Sequence, residues 1–417
     1  MNITITAPPQ GGVIAAIPSK SQAHRLLICA ALADAPTDIA CSVTSQDIEA
    51  TADCLRALGA GVERTEKGYH VIPIDKACPN PVLRCRESGS TLRFLLPITA
   101  ALGTGGVFLM EGRLPDRPQE ELLQVLERHG CRCSRQGNRL SLSGRLKAGE
   151  IAVRGDVSSQ YVSGLLFALP LMEDSGVIEL TCGLQSRPYV DMTVAAMERF
   201  GITAYEQNGR FRTQGKYSSP RTAAVEGDWS NAAFWLCAGA LCDKAFTCTG
   251  LEEASPQGDR AVMALLRQMG ASVCIHSGEI SVLRGELRGV EIDARDIPDL
   301  IPALSAVAAT AQGETRIIGA ERLRLKESDR LQAVARGLSA LGADVEETDD
   351  GLHIQGKPKL AGGVMDACGD HRIAMMGAIA ALGCTGPVTV LGAEAVEKSY
   401  PAFWEHYRRL GGVTEEH

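Results

Sequence analysis

One phrase returns six times along this chain: an apolar helical segment that closes on a glycine, followed by a short strand. The copies are LRALGAGVE, LERHGCRCS, MERFGITAY, LRQMGASVC, LSALGADVE and YRRLGGVTE. Their glycines, Gly59, Gly130, Gly201, Gly270, Gly342 and Gly411, are spaced by 71, 71, 69, 72 and 69 residues. A glycine just past the last helical turn suits the left-handed position that ends a helix. So regular a spacing restricts the chain to copies of one supersecondary unit. In five copies a polar turn and a second strand follow, as in GNRLSLSG and DGLHIQG. A second helix recurs with the same period, beginning near KSQAHRLLICAAL, GSTLRFLLPITAAL, SSQYVSGLLFALPLM, WSNAAFWLCAGAL, DLIPALSAVAAT and GDHRIAMMGAIAAL. These helices are apolar nearly all round and so are expected inside cores. Each repeat reads as helix, strand, helix, strand, strand. The six divide into two α/β domains of three repeats, with a crossing near residues 224–228.

The composition excludes several classes of function. Lys plus Arg number 42 against 50 Asp plus Glu, a net charge of −8, which argues against nucleic acid held by bulk electrostatics. No run is long and apolar enough for a bilayer, and MNITITAPPQ lacks the order of a signal peptide. The 14 cysteines include no CxxC pair, and the eight histidines form no HxH or HExxH pattern. We therefore expect a reduced, cytoplasmic protein without metal or other cofactor, and with no membrane or nucleic-acid partner; a monomer is expected, although nothing in the composition gives the oligomeric state.

The starts of the apolar helices carry the chemistry. Lys20, Ser21 and Arg25 open the first, where the unpaired amides already supply partial positive charge and a cation costs about 0.3–1 kcal/mol. The pattern recurs. ESGSTLR brings Gly89, Ser90 and Arg93, LPDRP brings Arg117, and DVSSQY brings Ser158, Ser159 and Gln160. QSRPY brings Ser186 and Tyr189, and PDL brings Asp299. LKESDR brings Lys326, Glu327 and Arg330, GDHR brings Asp370, His371 and Arg372, and EKSYP brings Lys398. Amides, hydroxyls and cations at helix starts make anion sites. A charge-assisted hydrogen bond there, about 1.5–3 kcal/mol, outweighs the helix-end penalty.

Each group also has a plainer reading. Ser158 and Ser159 can be ordinary N-caps. Glu327 and Asp329 can offset Lys326 and Arg330 on a solvated face. Arg372 can pair with Asp370 alone, and Gly89 can be a loop residue. Equivalent placement in a repeat favours one polyanion site instead. Asp299 and Glu327, set among cations, are candidates for acid–base work. Lys20, crowded by arginines, is expected to have a lowered pKa and to give up a proton. The absence of a P-loop, metal ligands or a serine triad points away from kinases and hydrolases.

In this order, KSQAHR, SGSTLR, DRP, SSQ, SRPY, LKESDR, GDHR and EKSYP resemble the motifs of the EPSP synthase family, within the enolpyruvyl transferase superfamily. The resemblance covers essentially the whole chain. It implies two domains, each of three βαβαββ repeats around buried helices, with the active site in the interdomain cleft. The first strand would join the C-terminal half, so that residues 1–18 and 227–417 form one domain and 19–226 the other.

The resemblance implies transfer of the enolpyruvyl group of phosphoenolpyruvate to the 5-hydroxyl of shikimate 3-phosphate, releasing phosphate. By motif, Lys20, Ser21, Arg25, Ser158, Ser159, Gln160, Ser186, Asp299 and Lys326 would hold shikimate 3-phosphate. Lys20, Gly89, Arg117, Gln160, Arg330, Arg372 and Lys398 would hold phosphoenolpyruvate. Asp299 would take the hydroxyl proton while Glu327 or Lys20 protonates the methylene carbon, and a tetrahedral intermediate would then lose phosphate.

Four positions depart from the family pattern. Pro18 and Glu87 replace a glycine and an asparagine, and Phe94 stands where Pro or Leu is common. Arg322 occupies the place of an asparagine that touches substrate in some members, so that contact is not carried over. Glu87 is expected to weaken affinity for phosphoenolpyruvate or for glyphosate, the family's inhibitor. Two other readings compete. UDP-N-acetylglucosamine 1-carboxyvinyltransferases use the same donor, but they carry a loop cysteine that EGRLPDRPQ lacks. A DNA-clamp-like ring of six repeats would need basic helix faces rather than basic helix starts.

Overall fold

The computed structural model describes all residues, 1–417. They form two compact units, a split one of Met1–Ile17 with Glu226–His417 and a continuous one of Pro18–Val225. Twelve α-helices alternate in kind along the chain: α1 (Lys20–Leu32), α2 (Gln46–Leu58), α3 (Gly89–Leu102), α4 (Glu120–Arg128), α5 (Ser159–Ala168), α6 (Arg187–Arg199), α7 (Trp229–Leu241), α8 (Val262–Gln268), α9 (Ile301–Ala308), α10 (Arg330–Ala340), α11 (His371–Ala380) and α12 (Phe403–Arg409). The odd-numbered helices are the apolar ones, and they are buried on nearly every side; in α7 every residue is buried. The even-numbered helices end at the repeated glycines, and all six of those glycines have positive φ, from 80° to 111°. That is the left-handed cap for which glycine carries no Cβ penalty.

Each repeat closes with a four-stranded sheet of one plan: a parallel pair, then two antiparallel neighbours. The repeats are therefore βαβαββ, and the mixed α/β class read from the sequence is present. Three of the six sheets take a strand from a distant place in the chain. Thr222–Ala224 pairs in parallel with Thr37–Ala40 and supplies the first strand of the first repeat. Strand β1 (Asn2–Ala7) lies antiparallel between Val388–Leu391 and Val413–Glu416, filling the hairpin position that the sixth sequence copy lacks. Strand β2 (Gly12–Ala15) pairs in parallel with Phe246–Thr249 and opens the fourth repeat.

Small residues let the buried helices pack closely. A Cβ on Gly164 of α5 would lie 2.3 Å from the carbonyl oxygen of Arg93 on α3. All three tryptophans lie in the split unit, with Trp235 of α7 stacked 5.1 Å from Phe403 of α12 and its indole donating to the Tyr400 hydroxyl. No helix is long and apolar enough to cross a membrane.

Candidate active site

In the continuous unit, serine caps hold the helix starts. Ser19, Ser45, Ser88 and Ser158 each accept from a backbone amide of the first turn of α1, α2, α3 and α5. Lys20 leaves the first turn of α1 to meet Asp47 in the first turn of α2, Nζ to Oδ2 2.8 Å. The group facing Lys20 is thus a carboxylate. Arg25, one turn further on, reaches toward α6.

Arg25 is almost fully buried and donates to Ser21 O (2.6 Å), Tyr189 O (2.7 Å) and Thr193 Oγ1 (2.9 Å). Burial lowers its pKa to about 10, leaving it charged at neutral pH. Its guanidinium lies 5.1 Å from the centre of the Phe94 ring, which itself meets Phe167 edge-on at 5.6 Å. These two contacts explain the aromatic at position 94.

Gln160, in the first turn of α5, donates to Ser90 Oγ (2.9 Å) and accepts from Arg93 Nη1 (2.7 Å). Arg93 also donates to Pro118 O (3.0 Å), beside the buried Arg117. Gly89 is packed against that arginine: a Cβ there would lie 3.0 Å from Nη1. Just upstream, the strand Val82–Arg86 slips register between Arg84 and Arg86, and Arg86 has φ 49°. Glu87, which follows, accepts from the Arg113 amide at 3.0 Å and packs on Gly112, where a Cβ would come within 2.5 Å of its carboxyl. Ser158 and Ser159 are buried at the start of α5. Ser186, capping α6, is buried with φ 54°, a left-handed conformation that a non-glycine residue rarely holds. The loops before α5 and α6 touch through the Gln185 amide, which donates to Gly155 O.

In the split unit, charge is denser. Arg330, the first residue of α10, has 1% of its side chain exposed and holds three carboxylates. It donates from Nη1 to Asp299 Oδ1, from Nη2 to Glu327 Oε2 and from Nε to Asp370 Oδ2, each at 2.7 Å. Burial pulls its pKa down, yet Asp370, Glu327 and Asp299 together raise it well above the ordinary arginine range. Arg372, in the first turn of α11, donates to both the carboxylate (3.1 Å) and the backbone carbonyl (3.1 Å) of Asp299. Lys326 Nζ lies 3.9 Å from Asp299 Oδ1. Burial lowers the Lys326 pKa to about 8 even though Asp299 pulls it up.

Asp299 itself sits in the turn Pro298–Leu300 that leads into α9. Asp259 is a buried acid that accepts from Ser230, and burial, then the Asp299 charge, raises it to about 7 against the pull of Arg372. Lys398 ends the turn Ala393–Lys398, which packs on α11.

The structure thus joins Asp299, Lys326, Glu327, Arg330 and Arg372 in one cluster, and Gly89, Arg117 and Gln160 around Arg93. It corrects three plainer expectations. Glu327 and Arg330 do not lie on a solvated face, since the arginine is buried among acids. The Arg372 side chain reaches Asp299, while its backbone amide takes Asp370. Lys326, Glu327 and Lys398 stand in a bend or at the end of a turn rather than at helix starts. Asp47, Arg93, Asp259 and Asp370 were not assigned to the site from sequence. Arg93 and Asp370 stood inside quoted motifs, whereas Asp47 and Asp259 gave no local signal.

A family model described as EPSP synthase (3-phosphoshikimate 1-carboxyvinyltransferase) matches residues 5–407. The chain is 41% identical to a 3-phosphoshikimate 1-carboxyvinyltransferase of Clostridium kluyveri, covering 99% of this chain and 98% of that one. It is 42% identical to the protein of the same name from Clostridium perfringens, covering 99% of each. Among solved structures, an EPSP synthase from Acinetobacter baumannii is similar with TM-score 0.80 and 26% identity over 100% of both chains. The enolpyruvyl transferase NikO from Streptomyces tendae shares the fold, with TM-score 0.78 and 21% identity over 99% of this chain and 98% of that one.

Proposed function

The chain belongs to the EPSP synthase family, and from that membership we propose that it transfers the enolpyruvyl group of phosphoenolpyruvate to the 5-hydroxyl of shikimate 3-phosphate, releasing phosphate. The observation that carries the reading is the Arg330 cluster, where three cations and three carboxylates meet within hydrogen-bonding or ion-pairing reach. Acid–base work on an anionic substrate needs both signs of charge in one place.

Shikimate 3-phosphate would be held by Lys20, Ser21, Arg25, Ser158, Ser159, Gln160 and Ser186 of the continuous unit, with Asp299 and Lys326 of the split one. Phosphoenolpyruvate would be held by Lys20, Gly89, Arg117 and Gln160, with Arg330, Arg372 and Lys398. An arriving phosphate or carboxylate competes with Asp299 for the guanidinium hydrogens of Arg330 and Arg372. That exchange would leave an Asp299 oxygen open to accept the 5-hydroxyl proton. Glu327 or Lys20 would protonate the methylene carbon, and the tetrahedral intermediate would collapse with loss of phosphate. The free thiols at all fourteen cysteines support a reducing, cytoplasmic setting.

The test is phosphate release from phosphoenolpyruvate with shikimate 3-phosphate or UDP-N-acetylglucosamine as acceptor. Release with shikimate 3-phosphate alone supports the reading, and release with the nucleotide sugar alone moves the acceptor to the rival branch. Asp299→Ala should lower kcat by about 10²-fold or more while ligands still bind; full turnover would sink the base assignment.

A further inference from the structure

Four buried side chains of the continuous unit form a single hydrogen-bonded line. His24 Nδ1 lies 2.7 Å from Thr51 Oγ1, Thr51 Oγ1 lies 2.7 Å from Thr91 Oγ1, and Thr91 Oγ1 donates to Ser88 Oγ at 2.8 Å. All four are at most 1% exposed. The last bond sets the direction of the others. Thr91 spends its hydroxyl hydrogen on Ser88, so the hydrogen between the two threonines belongs to Thr51. Thr51 has then no hydrogen left for the imidazole, and the proton between His24 and Thr51 sits on Nδ1. Nε2 is therefore the bare nitrogen, and it is buried with no hydrogen-bond partner. An unmet acceptor there is the less damaging alternative to an unmet N–H, and the ring is neutral. Burial supports this by pressing its pKa down to about 3, with Lys20 and Arg25 of α1 adding to the shift and Asp47 of α2 opposing it.

The line joins the places that the proposed function uses. Lys20 and His24 are one turn apart on α1, and Asp47 and Thr51 are one turn apart on α2. The pairs Lys20–Asp47 (2.8 Å) and His24–Thr51 (2.7 Å) are two rungs of one ladder between these helices. Thr91 and Ser88 extend it to the capping turn of α3, which begins at Gly89.

We propose that His24 is a positioning residue: as the neutral Nδ1–H tautomer it heads a one-way chain of hydrogen bonds through Thr51 and Thr91 to Ser88. This chain holds the first turns of α1, α2 and α3 in register, so that Lys20 and Gly89 meet phosphoenolpyruvate together. The kinetic part rests on the functional reading above, and the tautomer does not.

Two measurements on the full chain test it. With ¹⁵N-labelled histidine, and His24→Asn to assign its signals, His24 should show a protonated Nδ1 and a bare Nε2 at neutral pH. A protonated Nε2 or an imidazolium overturns the chain whatever the enzyme does. In steady-state kinetics, His24→Leu should raise KM for phosphoenolpyruvate about tenfold or more, with a smaller change in kcat. Mere loss of folded protein would lower apparent kcat and leave KM alone. His24→Asn, whose amide can donate near the Nδ1 position, should recover most of the lost affinity. Thr51→Val should match His24→Leu, and the double variant should be no worse than either. Thr51→Val also decides the matter if His24→Leu fails to fold. An unchanged KM in Thr51→Val overturns the inference, whereas a wild-type protein inactive with both substrates refutes the functional reading and leaves the NMR result to judge His24.

Discussion

At the scale of the residue, the decisive feature is which opposite charge each cation meets. Lys326 illustrates the consequence for pH. Its pKa, lowered by burial to about 8, means that it loses its proton as pH rises through that value. In the unfolded chain it keeps the proton to about 10.5, so its buried charge opposes folding most below pH 8, and that cost fades between about 8 and 10.5. An anion that relies on this charge should bind less well above about pH 8. We expect KM for shikimate 3-phosphate to rise there, and Lys326→Arg, which stays charged, to remove the rise. A KM that is flat from pH 7 to 9 in the wild type would count against the assignment. The residue types were legible because lysine and arginine at a helix start cost stability without an anion, while serine caps the same turn. Their partners were not legible: Asp47 is 27 residues from Lys20, and Asp370 is 40 from Arg330.

At the scale of the element, the six glycine-capped helices and the six buried ones were both readable. Cap geometry and apolar periodicity act over a single turn or two. Ser186 was readable only as a serine before a helix; nothing in its residue type signals its left-handed backbone. Gly164 shows a second kind of hidden constraint. Within SSQYVSGLLFA it looks like a weak helix residue, yet α3 approaches it so closely that a methyl group would sit 2.3 Å from Arg93 O. Gly164→Ala gains helix propensity but must push α5 off α3, and should destabilise the protein by about 1–3 kcal/mol. Urea denaturation measures this, and a stabilised variant would show that the contact relaxes at little cost.

At the scale of the molecule, two short strands at the beginning of the chain complete sheets built almost entirely from residues beyond 245. Strand β1 is an inner strand, hydrogen-bonded on both edges, with Ile3 and Ile5 buried. Removing residues 1–8 would expose the facing edges of Val388–Leu391 and Val413–Glu416 together with the apolar surface that the isoleucines cover. Calorimetry should then show loss or marked broadening of the split unit's unfolding transition. Ile5→Ala should cost about 2–5 kcal/mol without removing the strand. Unchanged unfolding of the truncated chain would mean that β1 is dispensable.

The sequence alone determined the period, the two kinds of helix and the α/β class. Each of these follows from interactions within a turn of helix or a step of strand, and so leaves a local pattern. The tertiary structure decided that β1 fills the missing place in the last sheet and that Lys20 faces Asp47. It also decided that Asp299, Glu327 and Asp370 share one buried arginine, and that a histidine in α1 is tied to the cap of α3. Most of these contacts join residues tens to hundreds of positions apart, and such contacts are chosen by packing and by the cost of leaving a buried charge or hydrogen bond unmet. That cost is felt only once the chain has closed on itself.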